Sequence, residues 1–170
     1  FYEDSVKVPA ILSWPGQLPA GVRSQRVISS LDLNATMLDA LDCPALPASR
    51  GRSLLPLLRG ETMTWDDVAF SELCYDAAGA GGPFPVEGTF QRMIRRGPWK
   101  LVYYHGLPSQ LFNLEKDPRE TQDRATDPAF QEVVAELTAE VVNGWNPEDI
   151  SARLAQLSLI HISEPTRPLY

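Results

Sequence analysis

Apolar residues in the first third of the chain are grouped rather than scattered. Residues 6–14 form an apolar run with β-branched members, which predicts a buried strand, and residues 22–31 predict a second short extended piece. Residues 33–41 carry apolar side chains at helical spacing behind Asp32, which predicts a capped helix. The apolar face of this helix would consist of Leu33, Met37, Leu38 and Leu41.

The later part of the chain alternates short apolar runs with turn residues. Residues 68–73 predict a strand, and residues 90–95 and 99–104 predict a hairpin with an Arg-Gly-Pro turn at 96–98. Residues 110–114 predict one more short strand after a further turn. Together these runs predict a small antiparallel sheet.

Helices are predicted before and after this sheet along the sequence. Residues 129–143 give the clearest pattern, because apolar residues occupy one face and glutamates lie outside it. Residues 53–58 predict a short apolar helix ended by Gly60, and Asn146 and Pro147 mark the start of another helix. We expect the stripe of the long helix to pack on the sheet; it comprises Phe130, Val133, Val134, Leu137 and Val141.

The charge balance excludes one class of function. The formal charge is −7, from 15 Lys and Arg against 22 Asp and Glu, whereas a non-specific nucleic-acid binder needs a basic contact face. The densest basic cluster, around the predicted hairpin, is expected to be a solvated face; it comprises Arg92, Arg95, Arg96 and Lys100. No apolar run reaches the length needed to span a membrane.

Cysteines and histidines offer no metal-binding pattern. Cys43 and Cys74 form no Cys-x-x-Cys pair, and we expect two buried, reduced thiols. His105 and His161 are too few to supply a zinc site within this chain.

Acidic and glycine-rich residues likewise favour structural roles. Asp32 is interpreted as a helix cap, and Asp4 and Asp76 as solvated loop residues. Residues 76–89 are rich in Gly and Pro and predict a long loop, a kind of segment that is often functional. This loop is not a phosphate loop, since no Gly-Lys-Ser/Thr follows its glycines.

Five segments in order resemble the sulfatase family. Residues 1–9 resemble its Tyr-Glu-x-x-x-Arg-Val-Pro segment, residues 32–39 its Asp-Leu/Ile-x-Pro-Thr-Leu-Leu helix, and residues 51–58 its Gly-x-Ser-Leu-x-Pro-Leu-Leu motif. Residues 93–101 resemble its Arg-x-Gly-x-Trp/Tyr-Lys-Leu hairpin, and residues 111–120 its Leu-Tyr/Phe-Asp/Asn-Leu-x-x-Asp-Pro-x-Glu element. Choline-sulfatase-like and arylsulfatase-like members are the nearest in pattern.

Two positions depart from the family pattern. Ala35 stands where the family has a helix Pro, and Lys7 stands where it has Arg before Val-Pro. Neither position belongs to the family's chemistry.

The resemblance implies a fold and a division of the chain. It implies an α/β fold, in which residues 1–62 are the end of an alkaline-phosphatase-like α/β/α catalytic domain. Residues 63–156 would then form a C-terminal subdomain, with a small antiparallel sheet packed on a helix. The polar residues 61–67 mark the boundary between the two parts.

The resemblance also implies chemistry that this chain does not carry. Sulfatases hydrolyse sulfate monoesters with a formylglycine nucleophile, made from Cys or Ser in Cys/Ser-x-Pro-x-Arg, and a divalent cation, usually calcium. Neither Cys43 nor Cys74 fits that motif. The family's metal ligands and sulfate-binding Lys precede the Tyr-Glu element, so we assign no catalytic or metal residue here. We expect a C-terminal fragment that is inactive alone.

Two residues are predicted at the rim of a substrate pocket. The family's C-terminal subdomain packs beside the mouth of the active site, which makes the loop 76–89 and the turn 105–109 candidate rims. Tyr75 and His105 are the predicted substrate-binding residues. The competing interpretation, which the sequence favours for each, is that Tyr75 packs against the loop and that His105 is an exposed turn residue.

The last residues resemble the in-frame translation of a sequencing adapter. Residues 157–167 read Leu-Ser-Leu-Ile-His-Ile-Ser-Glu-Pro-Thr-Arg, and we treat residues 157–170 as a non-native tail. The competing interpretation is an ordinary tail with a short apolar run.

Three functional hypotheses follow. The first is a sulfatase whose partner is a small-molecule sulfate ester. This hypothesis expects no nucleic-acid or membrane partner, and it is compatible with an oligomer. The second is a phosphonate or phosphate ester hydrolase of the same superfamily, and the third is a non-catalytic module that binds a protein or a sugar.

Overall fold

The protein is described by a computed structural model that covers residues 1–75, 89–153 and 156. The loop predicted at 76–89, apart from the backbone of Thr89, and the tail at 157–170 lie outside the described residues. The helices with defined bounds are α1 (Glu3–Val6), α2 (Ser30–Ala40), α3 (Leu55–Leu58) and α4 (Gln131–Val141), which a 3-10 turn (Pro128–Phe130) precedes. Residues 147–153 are helical as well, which confirms the helix start predicted at Asn146 and Pro147. The strands are β1 (Val68–Tyr75), β2 (Thr89–Arg96), β3 (Trp99–Tyr104) and β4 (Gln110–Asn113).

The four strands form one antiparallel sheet in the order β1-β2-β3-β4. Its central row places Phe70, Ile94, Leu101 and Leu111 side by side across the sheet. Gly97, in the left-handed region at φ +51°, turns the β2–β3 hairpin where the sequence predicts it. The strands predicted in the later part of the chain are therefore confirmed, with β1 extending to Tyr75.

The core of the later part lies between this sheet and α4. Ile94, Leu101 and Leu111 from the sheet are buried against Leu137 and Val141 from the helix. The Phe130 ring packs on Trp99 with their centroids 5.0 Å apart. The predicted apolar stripe of this helix is confirmed, since all five of its residues belong to the cluster or pack against it.

The first part differs from its prediction. No strand forms over residues 6–14 or 22–31; the helix α1 ends at Val6 and the helix α2 already begins at Ser30. Strands need hydrogen-bonded neighbours, and no described residue pairs with either segment. Val8 and Ile11 remain 78% and 92% exposed, so the buried-strand prediction is wrong within this structure.

The start of α2 shows how Asp32 acts as a cap. The N-cap is Ser29 rather than Asp32, and the Asp32 carboxylate accepts a hydrogen bond from the Ser29 N–H at 2.8 Å. In return the Ser29 hydroxyl accepts from the Asp32 N–H at 3.4 Å, which completes a capping box. The predicted capping role is confirmed, although the helix begins earlier than predicted.

The side of α2 that is buried is polar. Asp32 and Thr36 are its buried residues; the Asp32 carboxylate accepts from the Arg52 N–H at 2.9 Å, and the Thr36 hydroxyl accepts from the Leu54 N–H at 2.8 Å. Met37, on the predicted apolar face, is exposed. These bonds fix the segment that leads into α3 against the helix.

Gly51 lies where this segment crosses α2, and a side chain has no room there. A Cβ atom at this position would lie 2.1 Å from the Leu31 carbonyl oxygen. We expect Gly51→Ala to destabilise the chain by about 1–3 kcal/mol, because the backbone must shift to relieve the clash. Urea unfolding followed by circular dichroism measures this change.

The matched control for that substitution is Gly60→Ala. Gly60 has φ +78° and nothing within 4 Å of its would-be Cβ, so its replacement isolates the cost of the left-handed backbone. Equal losses in the two variants would show that the contact with Leu31 is not limiting.

The two cysteines are free, as predicted, but they are not both buried. Cys43 is exposed, which contradicts the expectation of a buried thiol, and Cys74 is half-buried in β1. Burial, followed by the hydrogen bond that its thiol donates to Glu72 Oε1 at 3.2 Å, raises the pKa of Cys74 to about 11.

This difference predicts selective labelling. Alkylation requires the thiolate, so a raised pKa means that Cys74 holds less thiolate at pH 8 than an ordinary thiol does. We expect iodoacetamide to modify Cys74 about two orders of magnitude more slowly than Cys43, as peptide mass spectrometry would measure. Glu72→Gln should speed the modification of Cys74, and equal rates for the two native thiols would contradict the prediction.

Candidate functional site

A buried lysine flanked by two glutamates joins the start of the chain to the sheet. The Lys100 side chain is 0% exposed, and its Nζ lies 3.2 Å from Glu3 Oε1 and 2.6 Å from Glu120 Oε1. The backbone N–H of Glu3 donates to Glu120 Oε2 at 2.5 Å. We call this group, Glu3, Lys100 and Glu120, the buried charge cluster.

Strand parity places Lys100 on the face of the sheet opposite α4. Its neighbours Trp99 and Leu101 belong to the α4 core, so the intervening side chain must point the other way. Phe112, directly opposite Lys100 on β4, is buried and packs on the Tyr2 ring at 5.9 Å between centroids. The segment around α1 therefore covers this face of the sheet.

A tight turn after β4 presents Glu120 to the cluster. The Asp117 carboxylate accepts hydrogen bonds from the Thr121 hydroxyl at 3.0 Å and from the Gln122 N–H at 2.8 Å. Glu120 itself adopts φ +55°, and its N–H donates to the Asp117 carbonyl at 3.1 Å. The Asp-Pro-x-Glu motif thus has a structural use here, since the turn built on Asp117 holds Glu120 beneath the sheet.

The basic cluster is not the fully solvated face that the sequence predicts, since the Lys100 side chain is buried and that of Arg92 is 11% exposed, whereas that of Arg96 is 41% exposed. The Arg92 guanidinium donates to the Val141 carbonyl at 2.8 Å, at the C-terminal end of α4, where a cation is favourable. Arg96 pairs with Glu136 at 3.0 Å and with Glu140 at 2.5 Å, both on that helix. The cluster therefore fixes the helix on one face of the sheet and α1 on the other.

A polar cleft of about 1070 Å³ lies beside the buried charge cluster. It runs between residues 23–27 and the β2–β3 turn, and the half-buried Arg95 lines it. Burial lowers the pKa of Arg95, while Glu3, Glu115 and Glu120 oppose that shift. The cleft also contains Lys7 and Asp67, so its lining carries both signs of charge.

Bonds from Asp67 and Trp65 hold one wall of this cleft. The Asp67 carboxylate pairs with Arg26 at 2.5 Å and accepts from the Val27 N–H at 3.0 Å, and Trp65 Nε1 donates to the Val27 carbonyl at 2.8 Å. These contacts hold the irregular residues 23–27 against the segment that leads into β1. The arrangement can bind a polar group, but it does not contain the elements of a nucleophilic site.

The two predicted pocket residues lie at the same end of the sheet. His105 is exposed after β3, and its backbone N–H donates to the Phe90 carbonyl at 3.0 Å. Phe90 in turn lies opposite Cys74, one residue before Tyr75 ends β1. The side chain of Tyr75 and residues 76–88 lie outside the described residues, so a pocket formed by Tyr75 and His105 stays a prediction.

Acidic residues do not form a metal site in the part of the chain that the structure describes. No group of three or more His, Cys, Asp or Glu side chains there could hold a metal ion. Asp4 is exposed in α1, Asp32 is engaged in its capping box, and Asp76 lies outside the described residues. Within those same residues, no helix is long and apolar enough to cross a membrane.

A sequence profile of one protein family matches most of the chain. The family, described as N-sulphoglucosamine sulphohydrolase, C-terminal, matches residues 1–145. The chain belongs to the sulfatase family. The resemblance drawn from the five ordered motifs is thereby confirmed.

Relatives of this sulfatase chain include an animal and a bacterial enzyme. Arylsulfatase K from Mus musculus is 30% identical over 158 residues, covering 91% of this chain and 28% of the relative. The choline-sulfatase of Rhizobium meliloti is 33% identical over 142 residues, covering 82% of this chain and 25% of the relative. The sulfatase chain thus spans about a quarter of the length of these two relatives.

Solved structures confirm the fold class. A putative sulfatase from Bacteroides thetaiotaomicron matches with a TM-score of 0.54 and 28% identity, over 66% of this chain and 23% of that one. A phosphonate monoester hydrolase from Silicibacter pomeroyi matches with a TM-score of 0.60 and 28% identity, over 76% and 27% respectively. The predicted α/β, alkaline-phosphatase-like class is therefore correct for this sulfatase chain.

The sequence alone did not reveal the buried charge cluster. Its three members all lie in segments that resemble the family, but their mutual contact joins residues 97 and 20 positions apart. One signal was present: Lys100 occupies the same strand face as the apolar Val102. A lysine at such a position predicts a buried cation that needs an acidic partner.

Proposed function

We propose that this chain is the C-terminal part of an enzyme that hydrolyses sulfate monoesters. The observation that carries the proposal is the match of residues 1–145 to the C-terminal region of a sulphohydrolase family. Relatives named arylsulfatase and choline-sulfatase support the same reaction class. Because the chain spans about a quarter of their length, the activity is assigned to a longer enzyme.

The nucleophile in this proposal is a formylglycine whose hydrated aldehyde attacks the sulfur atom. Neither Cys43 nor Cys74 is followed by Pro and Arg at the required spacing, so the nucleophile belongs to another part of the enzyme. The sheet of this chain holds the residues around α1 in place. It does so through the contacts of Glu3 with Lys100 and Glu120, on the face opposite α4.

A divalent cation, calcium by the family resemblance, would polarise the sulfate oxygens when bound. The described residues do not fit such a site, since they contain no group of carboxylates and imidazoles arranged to hold an ion. No step of the reaction is therefore assigned to residues of this chain.

The coding sequence around this chain in its source tests the proposal. We expect a Cys/Ser-x-Pro-x-Arg motif upstream in the same reading frame. The corresponding full-length protein, purified after co-expression with a formylglycine-generating enzyme, should hydrolyse a chromogenic aryl sulfate. Loss of turnover when the motif residue is changed to Ala would support the assignment. An upstream frame without the motif, or a folded protein without turnover, would favour a non-catalytic binding module.

A phosphonate or phosphate ester hydrolase is the second candidate. It is favoured by the likeness to the phosphonate monoester hydrolase of Silicibacter pomeroyi, whose TM-score is higher than that of the Bacteroides thetaiotaomicron structure. Parallel assays of the same full-length protein with an aryl sulfate and an aryl phosphonate separate the two reactions by their ratio of kcat/KM.

The isolated chain is expected to be inactive. Purified residues 1–170 should show no hydrolysis of an aryl sulfate above buffer, with arylsulfatase K from Mus musculus as the positive control. Turnover that persists through repurification would contradict the proposal that the nucleophile lies elsewhere.

A further inference from the structure

One side chain in the polar cleft lacks the partners that its chemistry requires. Arg95 is half-buried, and its Nε atom is buried without a hydrogen-bond partner. Within the described residues, its guanidinium also forms no ion pair. A guanidinium carries several N–H donors, and donors that are withdrawn from water without an acceptor lower stability. An acceptor that enters the cleft from outside would satisfy them.

The other arginines of β2 do find acceptors within the fold. Arg92 and Arg96 both bond to α4, by way of a helix carbonyl and two glutamates. Arg95 points to the opposite face, because successive residues of a strand alternate, and it lies directly across from Lys100 on β3. Both glutamates of the buried charge cluster are already bonded to Lys100. Arg95 is therefore the arginine of β2 that is left without a carboxylate of its own.

The remaining charges of the cleft provide a second, independent observation. Arg26 and Asp67, which both line the cleft, neutralise each other in an ion pair at 2.5 Å. The lining residues that form no ion pair within the described chain are three cations and two acids: Lys7, Arg23 and Arg95, and Asp4 and Glu115. Both of these acids are exposed, so water screens their charge more than it screens the half-buried guanidinium. The balance of unpaired charge in the cleft thus favours an anion.

We propose that this cleft binds a tetrahedral oxyanion, with Arg95 as the principal contact and with Lys7 and Arg23 adding positive charge at the walls. The planar fork of a guanidinium matches two neighbouring oxygens of a phosphate group, and a sulfate group offers the same arrangement. The cleft volume of about 1070 Å³ is that of a pocket for a small molecule, so the anion can be free or carried by a larger compound. The site is defined by the cleft alone and is independent of the proposed function.

Titration of the 170-residue chain with sodium sulfate, followed by heteronuclear NMR, tests the site. Sodium chloride at matched ionic strength is the control for screening of surface charge. We expect sulfate to cause saturable shifts at the amides of residues 23–27 and 95–97 and at the Arg95 Nε–H, and chloride to cause none. Arg95→Gln should weaken sulfate binding about tenfold or more. Arg59→Gln, at an exposed arginine outside the cleft, should leave it unchanged.

Variants of exposed residues keep the test decisive even where Arg95→Gln does not fold. Lys7→Gln and Arg23→Gln should each weaken sulfate binding by about twofold to fivefold, as expected for charges in contact with water. Glu115→Gln should strengthen it by a similar factor, because a competing acid is removed, and should leave the melting temperature unchanged. Arg95→Lys, which keeps the charge but loses the planar fork, should bind sulfate more weakly than the parent chain.

Methyl sulfate separates the two sources of the anion. Tighter binding of inorganic sulfate would assign the site to a free ion, and tighter binding of methyl sulfate would assign it to the ester group of a larger compound. The proposal is overturned by shifts that do not saturate, by shifts that chloride reproduces, or by sulfate binding that a folded Arg95→Gln variant retains. A clear drop in the melting temperature of Glu115→Gln would instead assign Arg95 to an internal ion pair and would also overturn it. None of these measurements uses turnover, so a failed activity assay of the full-length enzyme would reject the proposed function separately.

Discussion

Lys100→Met is expected to destabilise this chain by about 3–5 kcal/mol, several times the loss that an exposed lysine would cause. The methionine keeps an unbranched side chain, one heavy atom shorter, but removes the charge that lies between Glu3 and Glu120. Glu120, whose side chain is 2% exposed, would then remain as a buried carboxylate without a cation. An unpaired buried charge costs far more than the original pair contributes.

Urea unfolding measures this loss, and two further variants make it specific. Lys116→Met changes an exposed lysine in the turn after β4 and should shift stability by no more than about 0.5 kcal/mol. Lys100→Met combined with Glu120→Gln should recover part of the loss, because the orphaned charge is removed. If the double variant were no more stable than Lys100→Met, lost packing rather than electrostatics would be responsible.

The later part of the fold could be predicted because its information is local. The β2–β3 hairpin needs one turn at Gly97, and α4 needs one apolar stripe that ends near Val141. Both signals lie within a few residues of the structure that they specify. The Asp127 cap of the 3-10 turn, whose carboxylate accepts from the Ala129 N–H at 3.0 Å, is of the same kind.

The first part could not be predicted in this way, because its structure depends on distant partners. Residues 6–14 have the composition of a strand, but composition does not supply a neighbouring strand. The expected solvated face around Arg92 and Lys100 failed for a related reason: local spacing cannot show that Val141 or Glu3 will lie opposite. The candidate pocket at Tyr75 and His105 was placed by resemblance, and it stays a prediction, because the Tyr75 side chain and residues 76–88 lie outside the described residues.

Leu101→Ala is expected to destabilise the chain by about 2–5 kcal/mol. Leu101 is fully buried on β3, between Ile94 on one side and Leu111 on the other, and it faces the helix α4. Truncation leaves a cavity in the cluster that holds the sheet to this helix, and the surrounding rigid strands limit how far the cavity can collapse.

The matched control for Leu101→Ala is Leu107→Ala, which removes the same atoms from an exposed side chain a few residues later. It should change the free energy of unfolding by no more than about 0.5 kcal/mol. Because Lys100 and Leu101 are adjacent but face opposite layers, each substitution reports on one layer of the fold. A large loss from Leu101→Ala with a negligible loss from Lys100→Met would mean that the sheet and α4 fold as a unit without help from α1. Both substitutions could instead cause large losses, with no change in the slope of the free energy of unfolding against urea concentration. The segment held by the buried charge cluster would then unfold together with the core.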